Sequence, residues 1–182
     1  MTGLENIPNP PYIIGANHLA WYDVAFIIPF FPESPVIYTM AKRETVFNRA
    51  WKRWLMRLIG VFPISPNRGQ LDEVGLRTVY QVLDRGGVVL MFPEGRYSRG
   101  RALRPLKEGI AHFALHAGVP ICPVAVTGHD RLWPFRRIEI SISPPVRSDP
   151  PAYWSLGRRV TEVVDRVRLG ILHALRRNRR AN

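Results

Sequence analysis

The chain has 182 residues, of which 46% are hydrophobic, so it is long enough to bury the core of one globular domain. It carries 26 Lys and Arg against 14 Asp and Glu, a net charge of +12, and almost all of the excess is arginine. Because a guanidinium binds phosphate through two parallel donors, this charge favours nucleic acid, anionic lipid or a phosphorylated substrate as partner. The single cysteine, Cys122, excludes an internal disulfide bond and suits a reducing compartment.

The N-terminal region has no basic segment followed by an apolar core, so the sequence predicts no signal peptide. The apolar stretch over residues 24–31 is interrupted by Pro29 and is too short to span a bilayer. We therefore expect any membrane contact to be peripheral.

Short apolar runs alternate with helical patterns along the chain, which predicts one α/β domain over residues 1–182 with a mostly parallel central sheet flanked by helices. The expected strands cover residues 12–16, 36–40, 61–64, 88–92, 121–127 and 138–142. Apolar residues at helical spacing predict helices around residues 76–83 and 106–117, each followed by glycine. Pro120 and Pro123 cannot donate to a strand ladder, so we expect the fifth strand to lie at an edge or to begin there.

Two further segments are basic and amphipathic. Residues 44–59 combine a wide apolar face with Arg49, Arg53 and Arg57 on another face, and residues 152–182 combine an apolar stripe with an arginine-rich end. Such helices can lie in the headgroup layer of a membrane, or they can pack on a core with solvated arginines. The pattern leaves both interpretations open, and cations also favour a helix C-terminus without any partner.

The first candidate for chemistry is the turn that follows the first strand. His18 comes directly after an apolar run and Asp23 opens the next helical segment, so the two side chains can meet in the turn. A carboxylate that accepts a hydrogen bond from one imidazole nitrogen leaves the other nitrogen free to take a proton. The pair resembles a Ser-His-Asp triad without its serine, which predicts that a substrate hydroxyl is activated directly.

The second candidate is the turn after the fourth strand. Residues 93–101 contain one carboxylate, Glu94, together with two glycines and three arginines. Glycine lets the backbone approach an anion and arginine neutralises it, which is what a phosphate-bearing substrate requires at the carboxyl end of a sheet.

Four blocks in this order resemble the lysophosphatidic-acid and glycerol-3-phosphate acyltransferases of glycerolipid synthesis. They are Asn17-His18 with Asp23, then Ala41-Lys42-Arg43-Glu44 with residues 60–64 and 67–69, then Phe92-Pro93-Glu94-Gly95, and finally residues 119–124. The first and third blocks are specific when they occur together, and the other two add weight through their order.

The resemblance implies a function and a set of site residues. His18 is the expected general base and Asp23 the residue that orients it. The residues expected to bind the phosphate of the acceptor are Glu94, Gly95, Arg96, Arg68, Arg99 and Lys42. The acyl donor is expected to be acyl-CoA or acyl carrier protein, with no metal and no further cofactor. The expected acceptor is a lysophospholipid, by default 1-acyl-glycerol-3-phosphate, at the cytoplasmic face of an anionic inner membrane.

Two departures from the family pattern affect the acceptor. Tyr97 stands where the family usually has arginine, and Ser65-Pro66 intervene before Asn67-Arg68 in the second block. Another lysophospholipid or a glycolipid therefore stays open as the acceptor. Two other classes also stay open, which are a non-catalytic basic module that binds membrane or nucleic acid and an enzyme of the same fold that hydrolyses thioesters. Nucleic acid is not the expected partner, because we recognise no nucleic-acid-binding motif.

Overall fold

A computed structural model of the protein describes residues 1–20, 22–42, 54, 60–64, 73–98, 102–128 and 138–180. The strands are β1 (Tyr12–Ala16), β2 (Ile37–Lys42), β3 (Val61–Ile64), β4 (Val88–Met91), β5 (Ile121–Thr127) and β6 (Glu139–Ile142). The α-helices are α1 (Asp23–Ile27), α2 (Glu73–Asp84), α3 (Gly109–Ala117) and α4 (Leu156–Arg180), and short 3-10 helices cover Leu4–Asn6 and Ile28–Phe30.

The strands form one sheet in the order β3-β2-β4-β1-β5-β6. Strands β1 to β5 are mutually parallel, and β6 pairs antiparallel with β5. Every residue of β1 and β4 is buried, as expected for strands that are covered on both faces. The predicted α/β fold with a mostly parallel sheet is confirmed, and all six predicted strands are present.

Helices cover both faces of the sheet. On one face α2, α3 and α4 enclose a core that includes Ile13, Val79 and Phe113. On the other face α1 and the segment after it contribute Ile27 and Phe31 to a second core. The two predicted helices over residues 76–83 and 106–117 are confirmed as α2 and α3, although α3 begins later than predicted.

Of the two placements expected for the fifth strand, the edge is wrong, because β5 lies between β1 and β6, and the strand start is confirmed, because β5 begins at Ile121, directly after Pro120. The N–H of Ile121 points away from β1 and donates to Val146 O at 2.9 Å. Amides two residues apart in a strand point the same way, so Pro123 also turns its nitrogen toward the β6 side. Next to the first printed pair of the β6 ladder, Val124 with Ile142, the carbonyl oxygen of Pro123 still accepts the N–H of Ser143 at 3.0 Å, so the proline omits only the reciprocal bond at the end of the ladder.

The apolar stripe of α4 packs on the sheet. Its buried members are Val160, Val163, Val167, Ile171 and Ala174. Of the two interpretations left open for this helix, core packing is therefore correct, and its apolar face is not available to a membrane. In the other basic segment only Trp54 is described, where its side chain is 67% exposed, and the rest of residues 44–59 lies outside the described residues.

Candidate active site

The site forms where β1 and β4 end side by side, and we call this edge of the sheet the carboxyl edge. The two strands are parallel neighbours, with Gly15 opposite Met91. The turn after β1 carries His18, and the turn after β4 carries residues 93–98. Parallel pairing therefore brings together two motifs that lie far apart in the sequence.

His18 and Asp23 are in direct contact. The Nδ1 atom of His18 lies 2.7 Å from Asp23 Oδ2, and the carboxylate is completely buried. The same carboxylate accepts hydrogen bonds from the backbone N–H groups of Leu19 at 2.7 Å and Ala20 at 2.9 Å. Because a carboxylate only accepts, Nδ1 carries a proton and Nε2 presents its lone pair. The predicted geometry of the pair is present.

Two aromatic rings fix the orientation of the imidazole. Phe92 stacks on it with a centroid distance of 4.0 Å, and Tyr97 meets it edge-on at 4.4 Å. The His18 side chain stays 15% exposed. Burial, and secondarily the charge of Asp23, raises the pKa of Tyr97, so its phenol remains a neutral hydrogen-bond donor through the physiological range.

Glu94 stabilises the turn that carries His18 through hydrogen bonds to backbone groups. Its carboxylate is 4% exposed, and it accepts the backbone N–H of His18 at 2.7 Å on Oε1 and that of Arg104 at 2.9 Å on Oε2. A buried anion whose two oxygens both hold backbone groups is poorly suited to bind another anion. The geometry suits Glu94 to hold the backbone of His18, and its expected contact with a phosphate stays a prediction.

Two polar residues to which the sequence assigned no role add to these hydrogen bonds. Ser98 donates to the carbonyl oxygen of His18 from both its backbone nitrogen, at 2.7 Å, and its hydroxyl, at 3.0 Å. Asn17 is buried and exchanges two hydrogen bonds with the backbone of Val126 on β5, at 2.8 and 3.0 Å. The backbone pairing of β1 with β5 ends at Ala16, and the Asn17 side chain makes the next two hydrogen bonds to β5. The sequence signals for Asn17 are a polar residue at the end of an apolar strand and its place beside His18 in the first family block.

The structure describes some of the expected phosphate-binding residues and leaves others undescribed. Gly95 takes a positive φ of 68°, which favours glycine, and Arg96 is exposed on the same turn. Lys42 is the last residue of β2, so its backbone reaches the carboxyl edge. The Lys42 side chain, Arg68 and Arg99 lie outside the described residues, so their predicted roles stay predictions.

The loop that follows the turn folds back against it. Lys107 donates its backbone N–H to Pro93 O at 2.8 Å, and Arg168 of α4 donates to Arg104 O at 3.1 Å. Leu103, directly before Arg104, is buried. Two hydrogen bonds, from Lys107 to Pro93 and from Arg104 to Glu94, thereby hold the loop over residues 102–108 on the turn after β4, and the bond from Arg168 holds it to α4.

A solved structure shares this arrangement of strands and helices. The 1-acyl-sn-glycerophosphate acyltransferase PlsC of Thermotoga maritima matches with a TM-score of 0.70 and 26% sequence identity, over 94% of this chain and 70% of that chain. This chain therefore shares the fold of a known acyltransferase.

The model of the Acyltransferase family matches residues 1–127, and this chain belongs to that family. The chloroplastic 1-acyl-sn-glycerol-3-phosphate acyltransferase BAT2 of Brassica napus is 28% identical over 72% of this chain and 38% of its own length. The lyso-ornithine lipid O-acyltransferase of Pseudomonas aeruginosa is 32% identical over 66% of this chain and 44% of its own. The human 1-acyl-sn-glycerol-3-phosphate acyltransferase alpha is 27% identical over 93% and 60%. The chain therefore spans 38 to 60% of the length of these relatives, and the predicted family resemblance is confirmed.

Proposed function

We propose that this protein transfers a fatty acyl group from acyl-CoA or acyl carrier protein to the hydroxyl of a lysophospholipid, by default 1-acyl-glycerol-3-phosphate, with phosphatidic acid as product. The observation that carries the proposal is the 2.7 Å contact between His18 Nδ1 and Asp23. It leaves Nε2 as a base with no hydrogen bond to the described part of the chain. The names of the relatives, most of which are 1-acyl-glycerol-3-phosphate acyltransferases, support the default acceptor.

The reaction needs one base and no enzyme-bound acyl group. Nε2 of His18 takes the proton of the acceptor hydroxyl as its oxygen forms a bond to the thioester carbonyl carbon. The carbon–sulfur bond then breaks, and the departing thiolate takes the proton back from the imidazolium. Asp23 holds the ring in place and stabilises its positive charge while the proton is on it.

Tyr97 favours a second candidate acceptor. It places a neutral phenol against His18, at the position where the family usually has an arginine. A relative at 32% identity is named for a lyso-ornithine lipid, an acceptor whose name specifies no phosphate. An acceptor of that kind requires no cation beside the base, so a lyso-ornithine lipid is the alternative to 1-acyl-glycerol-3-phosphate.

One assay separates these candidates. The purified protein is incubated with labelled acyl-CoA, or with labelled acyl carrier protein, and with a lipid extract or individual lysolipids, and the product is identified by mass. We expect labelled phosphatidic acid from the wild type and none from His18→Ala. A labelled ornithine lipid selects the alternative acceptor, and release of free fatty acid alone would make the protein a thioesterase.

We also propose that the protein binds peripherally to the anionic inner face of a cytoplasmic membrane, with the carboxyl edge toward the lipid. Helix α4 runs alongside β5, because Gly170 lies against Pro123 and Asn178 donates to Thr127 Oγ1 at 3.1 Å, at the end of the strand. The C-terminal end of α4, with the exposed Arg176 and half-buried Arg177, therefore lies on the same edge as His18. Among the described helices, none has the length and apolar character needed to cross a bilayer.

Vesicle cosedimentation tests this orientation. Arg176→Glu with Arg177→Glu should weaken binding to vesicles that contain phosphatidylglycerol and leave binding to neutral vesicles unchanged. Arg147→Glu with Arg158→Glu is a matched control, since both arginines are exposed and Val146, next to Arg147, bridges Ile121 at the opposite end of β5. Equal losses in the two double variants would mean that only net charge matters.

A further inference from the structure

We propose that Lys107 binds the phosphate of the acceptor, an inference that rests on the acyl transfer proposed above. Lys107 lies outside the four sequence blocks, and its side chain crosses directly over Gly95. A Cβ atom at Gly95 would lie 2.7 Å from Lys107 Cε and 3.0 Å from Nζ. The missing side chain of Gly95 is what allows the ammonium group to lie on the turn.

The backbone that carries this ammonium group is ordered before any ligand binds. Lys107 donates its own N–H to Pro93 O, and three residues earlier Arg104 is bonded to Glu94 and to Arg168. The residue that carries the cation is therefore attached to the same turn that the cation covers. A binding group whose backbone is already ordered loses less conformational entropy when a ligand binds.

The ammonium group is available to a ligand. Lys107 is exposed, and no carboxylate in the described part of the chain lies within ion-pair distance of it. Glu94, in the turn that Lys107 covers, uses both carboxylate oxygens to accept backbone N–H groups, and Glu108, next to Lys107 in the chain, approaches His112 Nε2 at 3.9 Å. A lysine that lies over a glycine turn without a carboxylate partner is suited to a phosphate group.

The position of Lys107 favours the acceptor phosphate over the phosphates of the donor. Gly95 follows Glu94 directly, and Glu94 is bonded to the backbone of His18, so the ammonium lies beside the turn that holds the base. In 1-acyl-glycerol-3-phosphate the reacting hydroxyl and the phosphate are carried by neighbouring carbons, so an acceptor at Nε2 has its phosphate nearby. In acyl-CoA the long pantetheine arm separates the thioester from every phosphate.

Steady-state kinetics with both substrates varied tests the proposal. Lys107→Ala should raise the acceptor KM about ten-fold, as expected for loss of a charge-assisted hydrogen bond, and leave the donor KM within about two-fold. Lys107→Arg, which keeps the charge, should restore most of the affinity. Arg85→Ala is the matched control, since this exposed cation precedes β4 at the opposite edge of the sheet.

Binding of 1-acyl-glycerol-3-phosphate measured without acyl donor separates this proposal from the proposed activity. A wild type that binds this lipid at least about ten-fold more tightly than Lys107→Ala supports the role of Lys107 even where no transfer is seen. Equal binding by the two proteins would overturn it. An increase in the donor KM alone would also overturn it, because the cation would then serve the phosphates of CoA.

Discussion

The Oε1 atom of Glu94 lies 2.7 Å from the backbone nitrogen of His18, a residue 76 positions earlier in the chain. Its other oxygen holds Arg104, so one buried carboxylate joins the turn after β1, the turn after β4 and the loop over residues 102–108. The carboxylate of the third sequence block thus reaches His18 through the backbone, and no hydrogen bond or ion pair joins it to a side chain in the described part of the chain.

Glu94→Gln should lower both stability and kcat. An amide offers one oxygen and one NH2 group, so one of the two backbone N–H groups would face a donor in place of an acceptor. We expect unfolding in urea to show a loss of about 1.5 to 3 kcal/mol. We expect kcat to fall about ten-fold or more, because the turn that places His18 is loosened.

Glu73→Gln is the matched control for Glu94→Gln. Glu73 is exposed, and among the described residues it pairs with Arg77 at 2.6 Å, so its loss should change stability by no more than about 0.5 kcal/mol. A Glu94→Gln enzyme with full kcat would show that Glu94 does not position the base.

His18→Ala and Asp23→Asn should both remove most acyl transfer. General-base catalysis contributes about 10²- to 10⁴-fold, and the asparagine variant can present its NH2 group to Nδ1 and favour the wrong tautomer. Transfer of label from acyl-CoA measures the loss, and circular dichroism should show that His18→Ala remains folded. Substantial turnover by purified His18→Ala would refute the mechanism.

Asn17→Ala should destabilise the junction between β1 and β5. The variant leaves both the N–H and the carbonyl of Val126 buried without a partner, which should cost about 2 to 4 kcal/mol in denaturant unfolding. Asn6→Ala is a milder control, because Asn6 makes one part-buried hydrogen bond to Ile142 O and should cost about 1 kcal/mol. Similar losses in the two variants would contradict a special role for Asn17.

Cys122 should make the fold sensitive to alkaline pH. Burial raises the pKa of its thiol from 9.0 to about 12, so between these values the unfolded chain has released a proton that the folded chain keeps. The unfolded state then binds fewer protons, and stability that is fully present below pH 9 is lost as the pH rises toward 12.

The variant Cys122→Ala checks this contribution. In urea unfolding the stability lost between pH 8 and pH 10.5 should be smaller by about 2 kcal/mol than in the wild type. Some loss should remain at higher pH in the variant, because burial, which is the larger cause of the raised pKa of Tyr12, does not depend on Cys122. Rapid reaction of native Cys122 with a thiol reagent at pH 8 would contradict its burial.

Local patterns predicted more of the fold than of the site. Apolar runs and the glycines that follow them identified all six strands and the helices α2 and α3. These signals are local, because hydrophobic periodicity and the residues that end an element act over a few residues. The edge position predicted from Pro123 was wrong, because the cost of the N–H that proline lacks depends on which neighbouring strand faces its nitrogen. The stripe on α4 was ambiguous for a similar reason, because an amphipathic pattern does not say whether a sheet or a lipid covers it.

The sequence by itself predicted the contact between His18 and Asp23, because the two residues lie within one turn and their contact needs only local geometry. Tertiary structure decided the contacts that depend on strand pairing. It placed the Glu94 carboxylate on the backbone of His18, and it brought Lys107 over Gly95. The separation of these residues along the sequence predicts neither contact. Both contacts form only when β1 pairs with β4 and the loop over residues 102–108 folds back on the turn.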